Sequence, residues 1–298
     1  MIFGGAVARF RISTHGRLQD WIADDKGYFA DEGLDYQINL RVLENADQDI
    51  SSADKTDVRT GAYELYQSGG GGKKDMSCAC HWAVNEAATQ GAGRMWGHCY
   101  AVLPSGVYVR HDSAIQGPED LAGVDVAVGY HSGSHFSTIQ ALEPFLDPGR
   151  IKLAFIGMPY DRVDALLDGT VPAAAAWSAP SYILEQLGCR KILDTTFIAG
   201  FMFGADTDAG DVRKYFSALK LAQMDLDLEP ERYKVHYERE IPARYAGRVD
   251  VRRFGPGERI VFLPYSKDMY RQSQQWMHER GLFGPQATSP VYESAIQV

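Results

Sequence analysis

The sequence predicts an α/β protein, with open mixed sheets flanked by helices and divided into two lobes. Two observations carry this. Strand-like stretches alternate with helical ones along residues 6–177, and a chain of 298 residues is long for one core and comfortable for two. Such alternation implies parallel βαβ units, hence open sheets with helices on both faces.

Residues 6–13 read as the first strand, with Val7, Phe10 and Ile12 apolar, and Thr14-His15-Gly16 turns the chain. Over 18–30, Leu18, Trp21, Ile22 and Phe29 fall on one side of a helix that Gly33 ends. Residues 34–42 alternate apolar and polar, as in a half-buried strand. A polar loop follows over 45–57, then a helix over 58–67 that Ser68 and the glycines 69–72 stop. A short third strand is expected over 75–80 and a helix over 82–90. Residues 100–110 are strand-like with a break at Pro104-Ser105-Gly106. Gly117-Pro118-Glu119-Asp120-Leu121 opens a short helix, with proline at its first position and acids in its first turn. Next come a buried strand over 124–128, a turn over 129–133, a helix over 134–146, a strand over 151–156, a helix over 161–167 and a strand over 173–177. From Asp211 the chain is strongly helical.

Hydrophobic residues at 45% and charged residues at 23% are ordinary for a globular protein. No stretch approaches the roughly 20 apolar residues of a membrane span. A net charge of −9 argues against nucleic acid as a partner, which needs a basic face. It leaves a small anionic ligand open, because a pocket's field can oppose the global charge. The start, Met1-Ile-Phe-Gly-Gly, has no basic, signal-like opening, and the four cysteines (Cys78, Cys80, Cys99, Cys189) suit free thiols in a reducing compartment. Cys78 and Cys80 are expected to diverge and so to make a poor disulfide pair. The expectation is a cytoplasmic protein with a small-molecule ligand and no cofactor, for which a homodimer is allowed.

The segment Asp25-Lys26-Gly27-Tyr28-Phe29-Ala30-Asp31-Glu32-Gly33-Leu34-Asp35 resembles the opening of type II periplasmic substrate-binding proteins. The branch it is most similar to binds aliphatic sulfonates, taurine and nitrate, and also contains the thiamine-pyrimidine synthases. Further matches follow in order. Ser105-Gly106-Val107-Tyr108-Val109-Arg110 resembles the crossover into the second lobe, Gly117-Pro118-Glu119-Asp120-Leu121-Ala122-Gly123 its first helix, and residues 160–169 with 174–177 the segment before the return. The resemblance implies a bilobal fold, with 1–103 and 203–298 in lobe one, 104–202 in lobe two, and a ligand in the cleft between them. In that family the pyrimidine synthases place a lysine where this sequence has about Ala79, and a cysteine cluster that is missing near 198–203. The related desulfinases carry a cysteine where this chain has Ser13-Thr14-His15. Neither mechanism is therefore expected here.

Several residues are candidates for chemistry. Gly129-Tyr130-His131-Ser132-Gly133-Ser134-His135 joins a strand to a helix, where free N–H groups and the dipole favour an anion on Ser132, Gly133 and Ser134. His15, His81, His131 and His135 fall on expected cleft loops, as proton carriers or as hydrogen-bonded walls. Their spacing matches no standard zinc pattern. Cys80 beside His81 is the first candidate nucleophile, with Cys78 second; a small buried cysteine is the competing reading. Ser13, Thr14, Trp82, Tyr130, Tyr160, Phe136 and Trp177 are expected to line the cleft, the aromatic ones stacking on a flat ligand. The run Gly69 to Lys74 is no phosphate loop, since Gln67 stands where glycine is required and Asp75 where Ser or Thr is. The leading expectation is an enzyme of lyase or hydrolase type acting on a small anionic molecule, with an aromatic one also expected to suit the cleft. Its rival is a non-catalytic receptor or sensor.

Overall fold

The computed structural model describes residues 10–14, 16–39, 75–89, 94–204, 207–282 and 291–297. His15, the expected loop over 45–57, the helix over 58–67 and the glycine-lysine run lie outside the described residues.

The first sheet begins with β1 (Phe10–Ser13), followed by helices α1 (Leu18–Asp25) and α2 (Tyr28–Asp31), then β2 (Tyr36–Asn39) and β3 (Met76–Cys80). β1 lies parallel between β2 and β3, with Ile12 beside Ile38 and Met76. Ile12 is wholly buried there, worth about 1.5–3 kcal/mol of transfer energy. The single helix expected over 18–30 is broken in two. Gly27 has φ of 75°, a left-handed conformation that ends α1 and that glycine adopts at no steric cost. Helix α3 (His81–Thr89), β4 (Arg94–Trp96) and β5 (Tyr100–Leu103) follow.

At Pro104 the chain crosses to the second sheet. This holds β6 (Ser105–Val109), β7 (Asp125–Val128), helix α4 (Gly133–Leu142), β8 (Lys152–Phe155), helix α5 (Pro159–Leu167), β9 (Ala173–Trp177), helix α6 (Ala179–Gln186) and β10 (Arg190–Asp194). Its strand order is β10-β6-β9-β7-β8, with β7 parallel to β8 and β9. The four consecutive alanines of β9 are all buried, and their small side chains let the flanking helices lie close to the sheet.

The return crossing falls at Thr195 and Thr196, a strand earlier than the expected boundary at 203. The reason is β11 (Phe197–Phe203), which pairs antiparallel with β3, β4 and β5 and so belongs to the first sheet. Helices α7 (Ala209–Leu228) and α8 (Pro230–Tyr233) come next, then three short 3-10 segments, β12 (Arg259–Val261), helices α9 (Lys267–Glu279) and α10 (Tyr292–Ala295), and β13 (Ile296–Gln297). The completed order is β12-β5-β11-β3-β1-β2, with β4 on β11 and β13 on β4. The C-terminal part is thus helical, as expected, but also gives strands to the sheet.

Cys78 and Cys80 do not diverge across the sheet, because residues two apart in β3 share a face. All four cysteines are nevertheless free and buried. A rise of about 3.3 Å per residue keeps such a pair beyond the roughly 3.8 Å Cβ separation that a disulfide needs.

The two lobes touch. Trp82 on α3 packs against Phe136 on α4, with ring centroids 5.8 Å apart. Glu143, just past α4, accepts from Trp276 Nε1 and pairs with Arg280. Tyr245 Oη donates to Asp164 at 2.6 Å, which ties the C-terminal segment to lobe two.

Candidate functional site

The parallel strands of both lobes point their carboxyl ends at the seam between the sheets. β1 ends at Ser13 and β3 at Cys80; β7, β8 and β9 end at Val128, Phe155 and Trp177. Open α/β sheets bind ligands at such ends. Only two non-glycine residues among those described have positive φ: His131 at 49° and Ser178 at 51°. They directly follow the ends of β7 and β9 (His131 by a short turn), where strain of about 1–3 kcal/mol persists only when the surroundings impose it.

Ser178 leads into a group of buried polar side chains. Its hydroxyl, with those of Ser13, Thr14 and Tyr237, makes no hydrogen bond of good geometry inside the protein, and all four residues are buried. Gly257 brings two of them together. With φ of 73°, it passes so close that an added Cβ would strike the Tyr237 hydroxyl and come 3.3 Å from Ser178 Oγ. Tyr182 Oη accepts from the Gly257 N–H at 3.1 Å. Burial drives the Tyr237 phenol well above its usual pKa; Tyr182, Tyr160 and Glu258 push the same way, and only Ser178 opposes them.

Glu240 closes the group from the other side. Trp21 Nε1 donates to its carboxylate at 2.6 Å, and Tyr160 Oη donates to its carbonyl at 3.3 Å. Burial raises the Glu240 pKa, against the opposing pull of Trp21 and of the neighbouring Thr14 hydroxyl. Behind this layer lies a buried ionic cluster. Arg17 Nε stands 3.6 Å from both Asp20 and Glu258, and its guanidinium lies 4.8 Å over the Phe201 ring. Burial pushes Asp20 up to about 6, with Arg17 and Tyr215 opposing.

The residues expected from sequence distribute unevenly around this seam. Ser13 and Thr14 belong to the polar group; His15 lies outside the described residues. Cys78 is behind it, Sγ 3.9 Å from Glu258 Oε1, with burial pushing its thiol well above the usual value. Cys80 ends β3 and packs beneath Gly133. His81 Nδ1 is 3.0 Å from both Tyr265 Oη and Ser273 Oγ, and loss of water around the ring pushes its pKa down to about 3. Trp82 is buried among Phe136, Phe197 and Trp276. Tyr130 stacks on His131 at 4.2 Å and near His135. His131 Nδ1 faces Glu86 across the lobes at 3.8 Å, and burial lowers His135 to about 3. Trp177 is buried at the end of β9.

The loop where an anion was expected is occupied by its own groups. Ser134 Oγ accepts from the Gly129 N–H at 3.0 Å, and Ser132 Oγ lies 2.7 Å from both Gly129 O and Ser134 Oγ. Beside Gly133, Phe197 and Cys80 fill the place of a Cβ. Among the described residues, no three His, Cys, Asp or Glu side chains are grouped to hold a metal ion. Nor is any described helix long and apolar enough to cross a membrane.

Sequence reasoning missed Ser178, Tyr237, Glu240, Gly257 and Glu258. Ser178 before Ala179-Pro180 gives a signal, but one that reads as an ordinary helix start. The others sit in short 3-10 segments and turns with no periodicity to reveal them.

No family model and no curated protein matches the chain. Solved structures do. The alkanesulfonate-binding protein SsuA from Xanthomonas axonopodis pv. citri, bound to MOPS, superposes with a TM-score of 0.70 at 16% identity, covering 99% of each chain. The periplasmic aliphatic sulphonate binding protein SsuA from Escherichia coli gives 0.68 at 16% identity, over 95% of this chain and 96% of that one. The desulfurization enzyme DSZB gives 0.53 at 13% identity, over 92% and 93%. The chain has the type II periplasmic-binding-protein fold. Within that binding-protein fold, the unpartnered hydroxyls lie at the junction of the lobes.

Proposed function

We propose that this chain is a binding protein that encloses one small molecule between its lobes. The carrying observation is the set of four buried, unpartnered hydroxyls on Ser13, Thr14, Ser178 and Tyr237. An unpaired buried polar group costs about 1–3 kcal/mol. A bound polar ligand supplies the missing partners and holds the lobes closed. The similarity in fold to sulfonate-binding receptors supports binding as the task.

Two of the carriers expected for a cleaving reaction are disfavoured by burial. The candidate thiol at Cys78 is disfavoured as thiolate, and His81 is held neutral by burial and engaged with Tyr265 and Ser273. A reducing compartment remains part of the proposal, on the strength of four free thiols. Labelling of the unfolded, unreduced protein from its native host should count four; a disulfide would overturn that location.

The test of function is to incubate the purified chain with a metabolite extract and identify what is retained by mass spectrometry. The expected result is one compound, recovered unchanged after long incubation and no longer retained by Ser178→Ala or Tyr237→Phe. Retention of nothing, or conversion of the compound, would refute the binding reading.

A further inference from the structure

The first lobe reaches over both faces of the second, and the two joints differ. β7 to β8 and β8 to β9 run in opposite directions across the second sheet, so right-handed crossovers set α4 on one face and α5 on the other. α6 packs against α5 and shares its face.

On the α5–α6 face the joint is broad. Residues 237–257 of the first lobe lie along it and are held at separated points. Tyr160 Oη donates to the Glu240 carbonyl, Tyr245 Oη donates to Asp164, Gln186 exchanges two bonds of 2.9 Å with the Asp250 backbone, and Tyr182 Oη accepts from the Gly257 N–H. Three of these four attachments use backbone atoms of the segment, so its side chains cannot swing free of them. The apolar core is continuous here too: Tyr108, Ala174 and Ala176 of the second sheet share it with Tyr237, Tyr245 and Phe254.

On the α4 face the joint is narrow. Val107, Val109, Ala173 and Ala175 look onto a separate core. At the inner end of α4, Phe136 meets Trp82, and His131 before the helix faces Glu86. At the outer end, roughly 15 Å along the axis, Glu143 pairs with Arg280, whose Nη2 lies 2.9 Å from Oε2, and accepts from Trp276 Nε1 at 3.2 Å. The guanidinium lies 4.7 Å from the centre of the Trp276 ring. Both charged side chains are partly exposed, so salt screens their attraction. Glu279 Oε2, 3.4 Å from Arg280 Nη1, gives the guanidinium another partner when Glu143 leaves.

We propose that the lobes part on the α4 face, pivoting on residues 237–257, and that Arg280 and Trp276 clasp Glu143 to hold that side shut. Parting on the α5–α6 face would break backbone hydrogen bonds and bring a shared apolar core into water. Parting on the α4 face releases one solvent-wetted ion pair, one indole bond and the contacts of the first turn. The α4 face is then the mouth of the seam. That a bound molecule passes there rests on the binding reading above; the motion itself does not.

The test places two spin-label pairs on the full chain, at introduced cysteines, the four native thiols being buried. Asp147→Cys with Gln272→Cys spans the α4 face, and Asp168→Cys with Glu238→Cys spans the other; all four positions are exposed. Pulsed electron paramagnetic resonance reads the distances. Glu143→Arg should raise the longer separations across the α4 face about fivefold or more and leave the other pair unchanged. Adding Arg280→Glu to Glu143→Arg should bring the shorter separations back. Potassium chloride at about 1 M should shift the otherwise unaltered chain in the same direction as Glu143→Arg. Three results would overturn the proposal: an α4-face pair unmoved by both charge reversal and salt, a second pair that widens as much as the first, or no recovery in the double reversal. If Glu143→Arg does not fold, the salt comparison decides. A chain that opens in this way but retains no compound from a metabolite extract supports the motion and refutes the binding reading alone.

Discussion

Tyr237→Phe removes one oxygen from a side chain with no exposed surface, and the ring's contacts survive the change. The oxygen makes no hydrogen bond of good geometry inside the protein: Ser178 is close enough to oppose the rise in its pKa, and Gly257 presses against it. In the free protein the hydroxyl is thus a burden of about 1–3 kcal/mol, and deleting it should stabilise the fold by up to that amount. Chains of this size gain about 2–4 °C per kcal/mol, so the melting temperature should rise by several degrees. With ligand present the sign should reverse. A hydrogen bond to a charged group is worth about 1.5–3 kcal/mol, so its loss weakens binding by about 10-fold to 150-fold. Since a ligand in excess stabilises by the logarithm of its concentration over Kd, the stabilisation it confers at fixed concentration should shrink by the same free energy. The assay is a pair of melting curves for each protein, with and without the retained compound. A Tyr237→Phe protein that melts lower when free, and gains as much from ligand as the parent, would show that the phenol is an ordinary structural hydrogen-bonding group.

Three further outcomes are expected. Gly133→Ala should push the Phe197 ring and Cys80 away from the start of α4, costing about 1–3 kcal/mol in urea unfolding; an unchanged midpoint would mean that the lobes do not close there. Burial holds Asp20 near 6, above its unfolded value, so the folded state binds the extra proton and stability should fall as pH rises from about 4 to 6. Asp20→Asn should flatten that slope, as read from urea midpoints across the range, and a parallel slope in the variant would refute the assignment. His81 and His135, both near 3, should keep constant imidazole proton shifts by NMR from pH 8 to 5, and stability should decline as pH falls through the usual histidine value. An ordinary titration of either near 6.5 would contradict its burial.

The sequence made the strand–helix order of both lobes legible because each piece carries a local signature. The apolar positions around Ile12, Gly33 after α2, and Pro118 with the acids that follow it are each read within a few residues. The site is different in kind. Tyr160 meets Glu240 across 80 positions, and Trp21 meets the same residue across 219. No local pattern encodes such a meeting. Sequence reasoning found Ser13 and Thr14 because they follow a strand of the parallel sheet, where position alone predicts cleft exposure. It gave chemical weight to Cys78, Cys80 and His81 because those residue types are reactive in general; burial pushes the Cys78 thiol up and the His81 imidazole down. It overlooked Tyr237 and Glu240, which are common residues in an irregular segment. What distinguishes them is a buried phenol with no hydrogen bond of good geometry and a buried carboxylate tied to distant parts of the chain, both properties of the assembled fold. The strain at Ser178 belongs to the same class: a serine before a helix is unremarkable in sequence, and only φ of 51° shows that its surroundings hold it out of an ordinary cap. A site built from common residues that meet only in the fold leaves little trace in composition or spacing. Altering Ser178 or Glu240 therefore probes function more directly than altering the cysteines and histidines that the sequence brings forward first.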